Sequence, residues 1–145
     1  MSDEPLVSVV LISFNDVGRI GRALESIRRQ TLRSIEIIVV DDASTDGTAE
    51  FVESVAVSDS RIRLLSRSEN SGGCSAPRND GLRMARAPWV MFCDSDDEYD
   101  MHACATLLRA AEDWNADVVC GTAIRHDVAR DRDKRWRPEL HDSSR

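Results

Sequence analysis

The sequence predicts an open α/β domain, a mostly parallel sheet with helices on both faces. Three observations predict it. Largely apolar runs recur at residues 7–14, 35–40, 62–65 and 89–93, the first of them rich in β-branched residues. Between them lie segments whose apolar residues have helical spacing, long enough for crossovers between parallel strands. Turn-forming Gly, Pro, Asn and Asp cluster where one kind of segment gives way to the next.

The first run, Val7 to Phe14, is continuous rather than alternating, the pattern of a strand buried on both faces. Asn15-Asp16 then offers a helix cap. Ile20, Ala23, Leu24 and Ile27 line one face of a helix over Val17 to Gln30. Arg19, Arg22, Arg29 and Arg33 fall on a neighbouring stripe. Such a stripe reads as a solvated face, and peripheral contact with a membrane surface is the alternative. Ile35 to Val40 is a second buried strand, ending in Asp41-Asp42. The turn-forming stretch Ala43 to Gly47 leads into a helix over Thr48 to Val57 that buries Phe51, Val52 and Val55.

Ile62 to Leu65 is a short third strand. The loop Ser68 to Gly73 precedes a helix over Ser75 to Arg86, with Pro77 in its first turn and Leu82 and Ala85 facing inward. Pro88 breaks the chain before a fourth strand, Trp89 to Cys93, which ends in Asp94-Ser95-Asp96-Asp97. A helix over Met101 to Asn115 and a fifth strand over Asp117 to Ile124 complete a domain of residues 1–124. Residues 125–145 are charged, with alternating sign and little apolar content, and read as loop or disorder.

The chain's 145 residues suffice for one core, and its net charge of −7 argues against long-range steering of nucleic acid. No apolar run approaches the roughly 20 residues that span a bilayer, and the acidic start Met1 to Pro5 has no signal-peptide pattern. Cysteines at 74, 93, 104 and 120 form no C-x-x-C pair. Cys93 and Cys120 lie in apolar runs and read as core residues. A reduced, cytoplasmic setting is expected, with membrane association left open.

Open α/β sheets bind ligands at the C-terminal ends of their strands. Three polar groups end strands there: Ser13-Phe14-Asn15, Asp41-Asp42 and Asp94-Ser95-Asp96-Asp97. Carboxylates at i and i+2 on a sharp turn can converge on a hard divalent ion, Mg²⁺ or Mn²⁺. Acidic turns also cap helices, and spacing alone leaves both readings open. A carboxylate at 41–42 could accept N–H bonds from a nucleobase edge, or simply form the turn before the next helix. Phe14 is either a wall for such a base or a core aromatic. Gly72-Gly73 lets backbone approach a ligand, and Arg78 near a helix start could pair with a diphosphate. Neither a Walker A loop nor G-x-G-x-x-G is present.

Taken in order, Val7 to Asn15, Asp41 to Thr48, Asn70 to Gly81 and Trp89 to Asp97 resemble four motifs of the family 2 glycosyltransferases with the GT-A fold. The resemblance covers about residues 6–124. It implies that Asp42 contacts the base and Phe14 flanks it. It places Asp94 near the ribose, Arg78 near the phosphates and Asp96 as principal ligand of Mn²⁺ or Mg²⁺. The implied donor is a nucleotide-diphospho-sugar, a UDP-sugar by default. The implied reaction is transfer to a hydroxyl of an acceptor glycan, lipid or protein, with inversion. Ile12 stands where many members have proline, Phe14 where many have tyrosine, and Pro77 where alanine is common. The resemblance puts the general base on a later segment, so a donor-binding half is expected. Its open sheet edge would invite a second copy or a partner domain. A non-catalytic nucleotide-binding or protein-interaction module of the same descent is the alternative.

Overall fold

A computed structural model describes residues 4–127 and 129–136. The chain divides into two units, Met1–Ala105 and Thr106–Arg145. The first holds β1 (Val7–Ser13), α1 (Ile20–Arg28), β2 (Ile35–Asp41), α2 (Thr48–Ala56), β3 (Ile62–Ser66), α3 (Ser75–Met84) and β4 (Trp89–Asp94). Its four strands pair in the order β3-β2-β1-β4, all parallel. The chain steps outward from β1 to β3, and α3 then carries it back to the far side of β1. Right-handed crossovers in opposite directions put α1 and α2 on one face and α3 on the other.

Every residue of β1 and β2 is buried, which is why their apolar runs do not alternate. Val10, Ile12, Ile38 and Val40 form the core of the α3 face, packed by Leu65, Met84, Ala85 and Val90. Val9, Leu11, Ile37 and Val39, pointing the other way, are also fully buried. Helix α1 buries the four apolar residues that the spacing selects, Ile20, Ala23, Leu24 and Ile27. Helix α3 lies unusually close to the sheet: a Cβ on Gly81 would come within 2.3 Å of Val10 Cγ1.

At the strands' N-terminal ends the α3 face closes over a buried carboxylate. Glu36 accepts hydrogen bonds from Ser8 Oγ (2.6 Å), Arg86 N (2.7 Å), Arg86 Nε (2.9 Å) and Arg63 Nη1 (3.3 Å). Burial alone would raise the Glu36 pKa, but Ser8 and Arg86 outweigh it and hold the carboxyl below its usual range. Arg63 also donates to Met84 O (3.1 Å), tying down the end of α3.

Several expectations are corrected. Helix α1 starts at Ile20 and has no side-chain cap, because Asn15 and Asp16 bond to other loops. Leu82 is 49% exposed, and Pro77 and Gly81 take the inward positions of α3. The close approach of α3 to Val10 leaves no room there for a larger side chain. Residues 117–122 form no strand. In the second unit, which shares α4 (Ala103–Trp114) with the first, β5 (Ala123–Asp127) pairs antiparallel with β6 (Arg132–Trp136). A strand needs a ladder partner, and β5 finds it in a charged segment expected to be loop. The remainder of the expected tail, residues 128 and 137–145, lies outside the described residues. Cys120 is exposed, and the buried thiols are Cys93 and Cys104. Burial, with Asp97 and Asp94 nearby, pushes Cys93 up to about 12, and burial pushes Cys104 up to about 11.

Candidate functional site

The strand order reverses between β1 and β4, where Ile12 pairs in register with Asp94. Such a switch point leaves a crevice at the strand C-termini, because the two flanking connections run to opposite faces. The structure has a cleft of about 370 Å³ there. Ile12 and Phe14 line it from β1, Asp42 from the end of β2, Gly72 and Gly73 from the loop before α3, Pro77 from α3, and Asp94 from β4. Phe14 is 48% exposed, so it is an accessible wall rather than a core aromatic.

The loops beneath the cleft are laced together. Asn15 N donates to Ser44 Oγ (2.8 Å), and Asn15 Oδ1 accepts from Thr45 N (2.8 Å). Val17 N donates to Asp46 Oδ2 (3.1 Å), and Asp16 N to Thr48 Oγ1 (3.0 Å). Asn15 and Ala43 both have positive φ, so these turns are fixed in a costly conformation by their cross-links.

The two adjacent aspartates have different roles. Asp41 accepts from Ser13 Oγ (3.3 Å) and Ser44 N (2.9 Å), closing the turn after β2. Asp42, 3% exposed, holds the loop beside the cleft. Its Oδ2 accepts from Ser71 Oγ (2.7 Å), Ser71 N (3.0 Å) and Asn70 Nδ2 (3.1 Å). Its Oδ1 accepts from Arg67 Nη1 (2.7 Å), and Arg67 Nε also reaches Asp80 Oδ2 of α3 at 3.1 Å. Oδ1 therefore keeps acceptor capacity, while Oδ2 is filled.

Arg78 and Asp94, expected at phosphate and ribose, meet each other here. Arg78 Nη2 donates to Asp94 Oδ1 at 2.7 Å, which raises the arginine pKa further and keeps it cationic. The guanidinium lies 6.0 Å over the Phe92 ring, and its buried Nε has no hydrogen-bond partner among the described residues. Asp96 is 54% exposed, with Arg19 Nη1 at 3.8 Å from its Oδ2. Burial, then the neighbouring Asp96 and Asp94 carboxylates, push Asp97 up. Negative charge thus accumulates on this turn beyond what Arg78 and Arg19 offset. That donor set suits a hard divalent ion completed by phosphate oxygens, which needs only one or two protein carboxylates. Among the described residues no group of three metal-binding side chains is assembled in advance.

Sequence reasoning did not find Asp16 or Arg67 as parts of the site, and it named Ser95 only as a member of the strand-end cluster, without its bond to Asp16. Arg67 and Asn70-Ser71 were findable as donors near a buried acid, but only Asp42's orientation shows that they serve it. The arginine stripe of α1 is partly neutralised: Arg19 pairs with Asp16 (2.6 Å) and Arg22 with Glu98 (3.5 Å).

Residues 8–143 match the family model for glycosyl transferase family 2. The chain belongs to this family. A relative, the glycosyltransferase GlyG of Streptococcus pneumoniae, is 35% identical over 122 residues, 84% of this chain and 40% of that protein. The poly(ribitol-phosphate) beta-N-acetylglucosaminyltransferase TarP of Staphylococcus aureus is 34% identical over 79% of this chain and 36% of its own. Among solved structures, S. aureus TarS in complex with UDP-GlcNAc superposes with a TM-score of 0.69 at 30% identity, over 74% of this chain and 31% of that one. The mannosyltransferase PcManGT of Pyrobaculum calidifontis, in complex with GDP-Man and Mn²⁺, gives 0.67 at 30% identity, over 82% and 34%. The fold of this family 2 chain is therefore the GT-A fold. The chain spans 40% or less of the lengths of these relatives.

Proposed function

We propose that this chain is the donor-binding part of a glycosyltransferase, which transfers a sugar from a nucleoside diphospho-sugar to an acceptor hydroxyl with a divalent metal. The observation that carries the reading is the switch-point cleft, which gathers Phe14, Asp42 and Asp94 beside Arg78. Relatives crystallised with UDP-GlcNAc and with GDP-Man and Mn²⁺ support it.

In this reading Phe14 and Ile12 shield the base from water, and Gly72-Gly73 lets the backbone close over it. Asp42 holds that loop through Oδ2 and accepts a base N–H on Oδ1. Asp94 accepts a ribose hydroxyl. Arg78 uses two nitrogens on Asp94 and Cys74, so it retains donors for a phosphate oxygen. Asp96, with Asp94 in support, would hold Mn²⁺ or Mg²⁺. When bound, the ion supplies positive charge to the leaving diphosphate. The acceptor hydroxyl attacks opposite that leaving group and gives its proton to a base on a later segment, while the bond from the anomeric carbon to the diphosphate oxygen breaks, a single displacement that inverts the anomeric carbon.

Calorimetric titration with UDP-, GDP- and dTDP-sugars, with and without Mn²⁺, tests the reading. Wild type should bind one nucleotide class in a Mn²⁺-dependent manner, and Asp96→Ala should lose that dependence. Binding to none of them, or equal Mn²⁺ dependence in Asp96→Ala, would overturn it.

A further inference from the structure

Asp16 is a buried carboxylate that the donor-site reading leaves without a role. It sits before α1, where an aspartate would ordinarily cap the helix, yet α1 has no side-chain cap. Its side chain, 7% exposed, instead crosses to the fourth strand's acidic turn. Asp16 Oδ2 accepts a hydrogen bond from Ser95 Oγ, and Oδ1 accepts from Arg19 Nε at 2.6 Å. Its own N–H is held by Thr48 Oγ1 (3.0 Å), which in turn donates to Asp46. Asp46 also accepts from Val17 N (3.1 Å), so both neighbours of the Asp16 peptide are anchored on the turn after β2.

Ser95 is the residue between Asp94 and Asp96. Fixing its hydroxyl fixes the backbone on which both carboxylates stand. The same Asp16 carboxylate aims Arg19, whose Nη1 lies 3.8 Å from Asp96 Oδ2. One buried acid therefore controls the turn from below and the cation beside its outer carboxylate. Here both of its oxygens are spent on the turn and on the arginine facing it.

We infer that Asp16 is a positioning residue, which presents the Asp94-Ser95-Asp96 turn to the metal and diphosphate through its hydrogen bond from Ser95. The inference rests on the donor-site reading above. Loss of one hydrogen bond to a charged group corresponds to roughly tenfold in affinity.

The test uses the 145-residue chain, with Asp16→Asn, Ser95→Ala and the double variant. UDP, GDP and dTDP are titrated calorimetrically with and without Mn²⁺, and thermal melting is recorded in parallel. The expected result is about a tenfold loss in the Mn²⁺-dependent part of nucleotide affinity in each single variant, with no further loss in the double. Metal-free affinity and melting temperature should change far less than a general unfolding effect demands. Unchanged Mn²⁺ dependence in Asp16→Asn, or fully additive losses in the double variant, would overturn the positioning role while leaving the donor site standing. Wild type that binds none of the three nucleotides, with or without Mn²⁺, would overturn the donor site and this inference together.

Discussion

Gly81→Ala separates two physical effects of opposite sign. Alanine is the better helix former by about 1 kcal/mol, so propensity alone makes the variant more stable. The structure says otherwise. The new Cβ would stand 2.3 Å from Val10 Cγ1, 3.2 Å from Cγ2 and 3.3 Å from Cβ, against ordinary contact at 3.4–4 Å. Val10 is fully buried between β2 and β4 and has nowhere to retreat. Helix α3 must therefore lift, and overpacking of this kind costs about 1–3 kcal/mol. The clash should offset or exceed the propensity gain, leaving a net loss of about 0–2 kcal/mol. Lifting α3 also moves Arg78, one turn upstream, away from Asp94, so nucleotide affinity should fall with stability. Urea unfolding monitored by circular dichroism gives the first quantity and calorimetry the second. Adding Val10→Ala removes two of the three close contacts, so the double variant should lose less than the two singles combined. A Gly81→Ala chain more stable than wild type by the full propensity gain of about 1 kcal/mol would refute the close packing of α3.

Three further predictions follow from the same geometry. Glu36 and Asp59 both have carboxyls held below their usual range, Asp59 mainly by hydrogen bonding from Arg61. Depressed folded-state values mean that the unfolded chain takes up protons first, so stability is fully present above the ordinary value of 4.5 for Glu36 and declines as pH falls below it. Melting temperature against pH should show that decline, and Glu36→Gln should lower stability at neutral pH and flatten the slope. Asp42→Ala removes the buried carboxylate that Arg67, Asn70 and Ser71 share, and should cost about 2–4 kcal/mol in urea unfolding while abolishing nucleotide binding. In the native chain at mildly alkaline pH, iodoacetamide should modify Cys74 and Cys120 rapidly and spare Cys93 and Cys104. Mass spectrometry after labelling with and without urea reads this directly.

The strands were legible because a parallel sheet covered on both faces leaves continuous apolar runs, as at 7–13 and 35–40. The strand-end polar groups were legible because the alternation of elements puts all of them on one edge. What sequence could not show is which way each polar group turns. Asp41 and Asp42 are neighbours of identical chemistry, and only their opposite orientations make one a turn clamp and the other a loop anchor. Asn15 and Asp16 look like caps because capping is local, whereas their partners are Thr45 and Ser95 in distant loops. Leu82 was assigned inward on apolarity alone, but α3 packs through Pro77 and Gly81. The strand expected at 117–124 was misplaced because apolar content, not a ladder partner, decided it. The ladder at 123–127 is set by the charged segment 132–136.

In the proposed function the cleft between the ends of β1 and β4 holds the nucleotide. A crystal structure of this chain with its preferred nucleoside diphosphate and Mn²⁺ tests it most directly. The base should lie against Phe14 beside the Asp42-anchored loop, the diphosphate at Arg78, and the ion on Asp96. A nucleotide bound elsewhere on the molecule, or an ion held without Asp96, would contradict it.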